Sequence, residues 1–315
     1  MTILRLSHYD AMPANLRGAV IALGNFDGFH LGHQAVAGAA IAQAKAEGRP
    51  AIIATFDPHP VRHFVPDAPP FRLTTLDQRQ VLFEAAGADA MLVFEFGAEL
   101  AQTTAEDFVT QLLIKRLGAA AVVTGSDFTF GKARGGNVDV LRATGAAHGL
   151  HSTAVGAVND DAGVISSSRI RDALKTGDCA TACALLTRPF TVQGIVQHGD
   201  KNGRLLGYPT ANIDMGQYLR PRYGIYAVKG RLTDAITGQI RMLDGAANIG
   251  IRPSFDPPKE LLEPYFFDFA EDLYGQTIEV EFHAFIRGEA KFDDLEALKT
   301  QMAADCEKAA RILRR

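Results

Sequence analysis

The sequence predicts an α/β protein: a doubly wound parallel sheet, then a small antiparallel β-barrel closed off by a terminal helix. Three observations predict it. Short apolar runs alternate with helical patterns through the first half of the 315 residues, which implies a parallel sheet with right-handed crossovers. Beyond Pro189 the apolar runs follow one another without helices between them, and Glu279-Val-Glu-Phe-His-Ala-Phe285 alternates polar and apolar residues. That is the pattern of a half-buried antiparallel strand. Third, a stretch rich in glycine and histidine, 24–34, lies between an apolar run and an alanine-rich helical run, at a strand-to-helix turn where doubly wound sheets bind ligands.

The strand candidates of the first half are 19–23, 51–56, 90–94, 120–124 and 151–155. Helical patterns fall between them at 35–47, 77–86, 104–117 and 138–147. Thr103-Thr104-Ala105-Glu106 has capping-box spacing before the third helix. Near Ile165 the pattern changes: 167–176 and 178–186 read as two short helices parted by Gly177. Pro189 then stops the helical pattern. Strand-like runs follow at 190–197, 224–232, 239–249, 265–269 and 277–286, and 293–313 reads as a helix with Asp293 or Asp294 as N-cap. The boundary is placed near 187–190, giving domains 1–187 and 188–315. No internal repeat or low-complexity segment interrupts this order.

Hydrophobic residues make up 47% of the chain, enough for a substantial core. A net charge of -4 argues against a general nucleic-acid binder. Cys179, Cys183 and Cys306 are odd in number and lack a framework spacing, which fits a reducing cytosol. The N-terminus has no signal pattern, and no apolar run approaches the ~20 residues of a membrane helix. The expectation is a cytoplasmic protein with neither a membrane nor a nucleic-acid partner; weak self-association is allowed for.

The stretch Gly24-Asn25-Phe26-Asp27-Gly28-Phe29-His30-Leu31-Gly32-His33-Gln34 carries the most chemistry. The first-turn amides of a helix lack partners and its dipole favours an anion. Gly28 and Gly32 leave backbone room for a phosphate. His30 and His33 are three apart and share a face if the helix begins near them. Farther on, Phe56-Asp57-Pro58-His59-Pro60 begins a proline-rich loop after the second strand, and such loops act as lids or binding loops. Gly125-Ser126-Asp127-Phe128-Thr129-Phe130-Gly131 follows the fourth strand. Ile165-Ser166-Ser167-Ser168-Arg169-Ile170-Arg171 opens a helix with hydroxyls and two cations, a good seat for phosphate. In the second half, Gly199, Lys201, Gly203, Arg204 and Gly207 make a cationic glycine loop that runs into Tyr208-Pro209-Thr210-Ala211-Asn212.

The 24–34 stretch resembles the His-x-Gly-His signature of the nucleotidylyltransferase superfamily, and its longer form resembles bacterial bifunctional FAD synthetases. Gly-Tyr-Pro-Thr-Ala-Asn is similar to the riboflavin kinase signature, and Asn248-Ile-Gly-Ile-Arg-Pro-Ser-Phe255 to another of its motifs, with Ser254 where Thr is usual. The resemblance spans almost the whole chain with its motifs in order. It implies a Rossmann-like nucleotidylyltransferase domain followed by a riboflavin kinase barrel. It implies riboflavin, FMN and ATP as small-molecule substrates, Mg²⁺ as cofactor, and FMN and FAD as intermediate and product.

Carried over residue by residue, the resemblance has His30 and His33 hold ATP phosphates, with Gly24, Asn25, Phe26, Asp27, Gly28 and Gly32 around them. Ser166, Ser167, Ser168 and Arg169 add to the phosphate seat. The family's arginine falls on Arg171, with Arg169 an open alternative. Phe56, Pro58, His59 and Pro60, with Asp127, Phe128 and Phe130, contact flavin and nucleotide. Thr210 and Asn212 bind Mg²⁺ and phosphate, and Glu263, placed before a strand, is the general base, with Glu260 a weaker rival. Three rivals stay open: an adenylyltransferase for another mononucleotide or pantetheine phosphate, a class I aminoacyl-tRNA synthetase, and a flavin-binding regulator or carrier with decayed catalysis. The 198–212 stretch speaks against the first. The second lacks its Lys-Met-Ser-Lys-Ser run. The intact motif residues speak against the third.

Overall fold

Alternating side chains in the strands of the first half feed two separate cores, and this makes the sheet. The computed structural model describes residues 2–198, 207–234, 237–252 and 259–314. In chain order the strands of the first half are β1 (Leu4–Ser7), β2 (Val20–Leu23), β3 (Ala51–Asp57), β4 (Ala90–Glu95), β5 (Ala121–Gly125), β6 (Thr129–Phe130), β7 (Gly136–Asn137), β8 (His151–Val155), β9 (Asn159–Asp160) and β10 (Gly163–Val164). Six of them form a parallel sheet in the order β1-β4-β3-β2-β5-β8. Ile21, Leu23, Ile52, Leu92, Phe94 and Val122 enter one core. Val20, Ala22, Ile53, Met91 and Val123 enter the other. A sheet buried on both faces needs continuous apolar strands, which these are.

The helices are α1 (Leu31–Glu47), α2 (Pro60–Phe64), α3 (Leu76–Ala86), α4 (Ala98–Gln102), α5 (Ala105–Asp107) and α6 (Val138–Ala146). Helix α5 runs on into wider, π-type turns over Phe108–Arg116. α1 and α3 cover one face through Ala37, Ala40, Ala44 and Phe83. α4, the π-type turns and α6 cover the other through Leu100, Val109, Leu113 and Leu141. The chain runs outward from β2 through β3 and β4, then returns to β5 on the other side of β2. The switch point therefore lies between β2 and β5, where open α/β sheets take their ligands. The loops after those two strands are 24–30 and 126–128.

Several local expectations need correction. The cap before the third predicted helix is Thr104, whose hydroxyl accepts from Asp107 N at 3.0 Å, not Thr103. The unforeseen capping box belongs to α3, between Thr75 and Gln78. The proline-rich loop contains α2, with Pro60 at its first position, where the missing N–H costs nothing.

The second unit comprises Pro70–Thr74 and Ser167–Arg315. It contains α7 (Ser167–Thr176), α8 (Cys179–Leu186), β11 (Phe190–Gln197), β12 (Asn212–Asp214), β13 (Gly224–Thr233), β14 (Ile240–Arg252), β15 (Lys259–Phe266), β16 (Thr277–Arg287) and α9 (Leu295–Leu313). The strands close into a barrel, β11-β12-β15-β14-β13-β16. The strand expected at 265–269 instead spans Lys259–Phe266. Tyr226, Val228, Val280 and Phe282 are buried along alternate positions, as a filled small barrel requires. α9 is capped by Asp294 and rests Ala309 and Leu313 on Ala227, Ala246 and Ile286. Arg287 on β16 grips Asp305 of α9 with Nε 3.0 Å from both carboxylate oxygens, a forked pair that fixes the helix on the barrel. Cys179, Ala182, Leu185 and Leu186 of α8 are buried. No helix of the described residues is long and apolar enough to cross a membrane.

Candidate functional site

At the end of β2 the chain turns through two aromatic residues with left-handed backbone, Phe26 (φ 47) and Phe29 (φ 45), and Gly28 (φ 88). Both phenylalanines are buried. Phe26 thus serves the core with its side chain, and Asp27 is buried beside it. Asn25 is exposed at the turn. His30 is the N-cap of α1: its Nδ1 accepts from Gly32 N at 3.1 Å and His33 N at 3.4 Å. The sequence expectation of open first-turn amides is therefore corrected at those two positions. An Nδ1 that accepts leaves the ring proton of the neutral tautomer on Nε2, the nitrogen that can donate to an anion. The rings of His30 and His33 stack with centroids 3.7 Å apart. Gly32 keeps this packing close: a Cβ there would sit 3.1 Å from His30 Cε1 and 3.4 Å from the Ile165 carbonyl, a tight fit that its neighbours would have to relieve. The Ile165 carbonyl thus lies beside the head of α1.

The other predicted residues of the first unit lie at the carboxyl ends of neighbouring strands. Phe56 stands next to last in β3 and stacks on Phe94 at 5.3 Å. Pro58 follows it, His59 caps α2 by accepting from Val61 N at 3.2 Å, and Pro60 opens that helix. Asp127 is exposed after β5, and Phe128 and Phe130 stack at 5.6 Å. Phe130 is buried against Phe108, so its ring belongs to the core. Phe96, His63 and Phe64 extend the aromatic row from Phe56 toward the surface, where Phe64 is 65% exposed. Sequence reading missed these three, although the spacing of aromatics around the proline loop was a signal.

In the second unit Ser167 begins α7, and Ser168, Arg169 and Arg171 lie in its first turns. Arg171 Nε donates to the Phe71 carbonyl at 2.8 Å and its guanidinium lies 5.3 Å from the Phe71 ring centre. Arg171 is thus a tether for the 70–74 segment, a role the sequence did not suggest. Gly199, Lys201, Gly203 and Arg204 lie outside the described residues, as do Pro253, Ser254 and Phe255; Gly207 is exposed at a turn.

The barrel strands bring three polar residues into one row. Asn248 on β14 pairs with Glu263 on β15. Ile213 on β12 pairs with Leu262, and Ala211 N donates to the Pro264 carbonyl at 2.9 Å. This register carried back one residue sets Asn212 opposite Glu263. Ile213, Leu262 and Ile249 are fully buried toward the barrel interior, so Asn212, Glu263 and Asn248 project together from the opposite face. Glu263 therefore sits inside a strand, not before one as expected. Thr210 precedes Asn212 by two and lies just before β12. The Asn248 Oδ1 atom is buried and accepts no hydrogen bond from the described residues. A buried acceptor of this kind calls for a donor or a cation. The Glu289 carboxylate lies over Gly250, two residues along β14 from Asn248.

Glu260 is committed elsewhere. Arg220 Nε donates to it at 2.7 Å and the Tyr223 hydroxyl donates to its other oxygen. Burial pushes its carboxyl up, but these two donors outweigh it and its pKa is lowered. Burial first, and then the same contact, raise Tyr223 to about 12.

A switch-point loop in one unit and an outward carboxylate–amide row on the barrel of the other are two separate candidate sites. The family model for FAD synthetase matches residues 12–169, and that for riboflavin kinase matches 186–313. The bifunctional riboflavin kinase/FMN adenylyltransferase of Escherichia coli is 35% identical over 97% of this chain and 96% of its own length. That of Haemophilus influenzae is 38% identical over 93% of this chain and 94% of its own. The crystal structure of a macrolide-efflux protein from Streptococcus pneumoniae superposes with a TM-score of 0.85 at 30% identity, covering 98% of this chain and 99% of that one. The chain belongs to the bifunctional riboflavin kinase/FMN adenylyltransferase family, enzymes of FAD biosynthesis.

Proposed function

We propose that the barrel unit phosphorylates riboflavin with Glu263 as general base, and that the switch-point loop of the sheet unit directs adenylyl transfer to FMN. The observation that carries the first assignment is the register row Asn212–Glu263–Asn248. A carboxylate flanked by two amides can take the proton of the ribityl 5′-hydroxyl as that oxygen attacks the γ-phosphate of ATP. ADP leaves and FMN is formed. The donors around the row are oxygens, and Thr210 and Asn212 would hold Mg²⁺, which when bound neutralises phosphate charge.

In the second reaction an oxygen of the FMN phosphate attacks the α-phosphate of ATP. The α–β bridging bond breaks, pyrophosphate leaves and FAD is formed. The nucleophile is already an anion, so no base is needed, and the protein's task is alignment and charge neutralisation. His30 Nε2, His33 and the α1 dipole supply donors in the sheet unit. The family resemblance alone adds Ser166, Ser167, Ser168 and the fixed positive charge of Arg171, with Arg169 as the alternative. Phe56, Pro58, His59 and Pro60, with Asp127 and Phe128, line the flavin side. The free cysteines and ATP as co-substrate suit a cytoplasmic setting.

The catalytic division falls near residue 187, but α8 is part of the barrel's packing, and this sets the test. A fragment of residues 167–315 forms FMN from riboflavin and Mg-ATP and forms no FAD. A fragment of residues 188–315 loses the buried face of α8 and melts at a lower temperature. Chromatography of the products together with circular dichroism reads both outcomes. A folded 167–315 fragment without kinase activity contradicts the assignment of that site.

A further inference from the structure

Helix α3 supplies none of the residues assigned above to a substrate, yet it grips the loop that does the assigned work. We propose that Arg79 is a positioning residue for adenylyl transfer: a buried guanidinium that, with Phe83 one turn later, locks the loop after β2 to the end of β3. The proposal rests on the reading of residues 24–33 as the nucleotide loop.

Arg79 and Phe83 are four apart and share one face of α3. The Phe83 ring meets Phe26 at 5.8 Å and Phe29 at 5.1 Å, both edge-on. Those two residues carry the loop's left-handed backbone. Such strain persists only where the surroundings over-determine it. Arg79 supplies the polar half of the grip. Its Nη1 donates to Thr55 Oγ1 at 2.8 Å and lies 3.3 Å from the Asn25 carbonyl and 3.4 Å from that of Phe56. The Thr55 hydroxyl donates to the same Asn25 carbonyl at 2.6 Å. Nη2 lies 3.8 Å from Asp57 Oδ1. One side chain thus joins Asn25, two residues beyond β2, to the last three residues of β3.

Arg79 is 1% exposed, so it acts through these loops and not by touching a substrate. Burying a cation is a poor route to stability, since an apolar side chain of similar volume often does as well. A planar fork with fixed donors is instead a good route to a fixed geometry. The histidine stack begins five residues beyond Asn25, so a shift of that carbonyl moves the donors relative to the α-phosphate. Misplacement of about 1 Å from a distant substitution can cost about 10² in rate.

The test uses the full chain with Arg79→Lys, Arg79→Met, His33→Ala and the double variant His33→Ala/Arg79→Lys. FAD formation from added FMN and ATP, FMN formation from riboflavin, and melting temperature are measured on each. Arg79→Lys keeps the charge but loses the fork and lowers kcat for FAD formation about tenfold; Arg79→Met lowers it about 10²-fold. The KM values for ATP and FMN stay within about threefold, and the kinase rate is unchanged. The double variant is no slower than His33→Ala alone, because both substitutions act through one loop. Full FAD formation by Arg79→Lys overturns the proposal. So do losses that multiply in the double variant, or a kinase rate that falls in step with FAD formation. If Arg79→Met does not fold, Arg79→Lys and the double variant decide. Unchanged FAD formation by His33→Ala overturns the reading of the loop itself, and the proposal with it. A slow His33→Ala beside a normal Arg79→Lys overturns the proposal alone.

Discussion

Glu263→Gln lowers FMN formation by about 10²–10⁴ and leaves FAD formation from added FMN unchanged. The range is what general-base catalysis typically supplies. The substitution keeps the shape of the side chain opposite Asn248 on β14, so the row stays aligned and only the proton acceptor is lost. FAD formation is spared because its nucleophile is a phosphate oxygen. Glu260→Gln gives a different outcome. Its partners Arg220 and Tyr223 lose a shared carboxylate, so the variant melts at a lower temperature while the folded fraction keeps its kinase rate. Steady-state rates of both reactions on purified variants read these results. A Glu263→Gln enzyme with full kinase activity places the base elsewhere.

His33→Ala lowers FAD formation by about 10²–10³, the usual cost of losing one donor aimed at developing charge. FMN formation stays normal. His30→Ala loses as much and destabilises the first unit as well, because the same ring caps α1 through Gly32 N and His33 N. Loss of an N-cap costs about 1 kcal/mol. His30→Asn separates the two roles: asparagine restores the cap and the melting temperature but cannot place a donor where Nε2 stood. If His30→Asn recovers FAD formation along with stability, His30 is a cap and nothing more.

The sequence shows the parallel sheet well because both of its faces are buried, and β2 to β5 read as unbroken apolar runs. It hides β1, a short edge strand whose Leu4 is 50% exposed, since an edge needs less apolar surface. It hides α2 because three prolines nearby read as a loop, though Pro60 sits where a helix accepts one. Motif positions were legible wherever glycine, histidine and serine cluster at a strand end. Pairings were not. Asn248 meets Glu263 only through barrel register, and nothing local in either segment fixes that. Arg79 reads as an ordinary solvated helix residue until α3 is seen to face the β2 loop with it. Glu260 and Glu263 look alike in sequence and separate only when Arg220 and Tyr223 are found on the first of them.

One chain runs two chemistries in series. Full-length enzyme is given riboflavin and Mg-ATP, and flavins are separated by chromatography at successive times. FMN rises first, FAD follows with a lag at the expense of FMN, and EDTA stops both. FMN that accumulates without FAD at every ATP concentration would contradict the role given to the sheet unit, and flavin that stays as riboflavin would contradict the role given to the barrel.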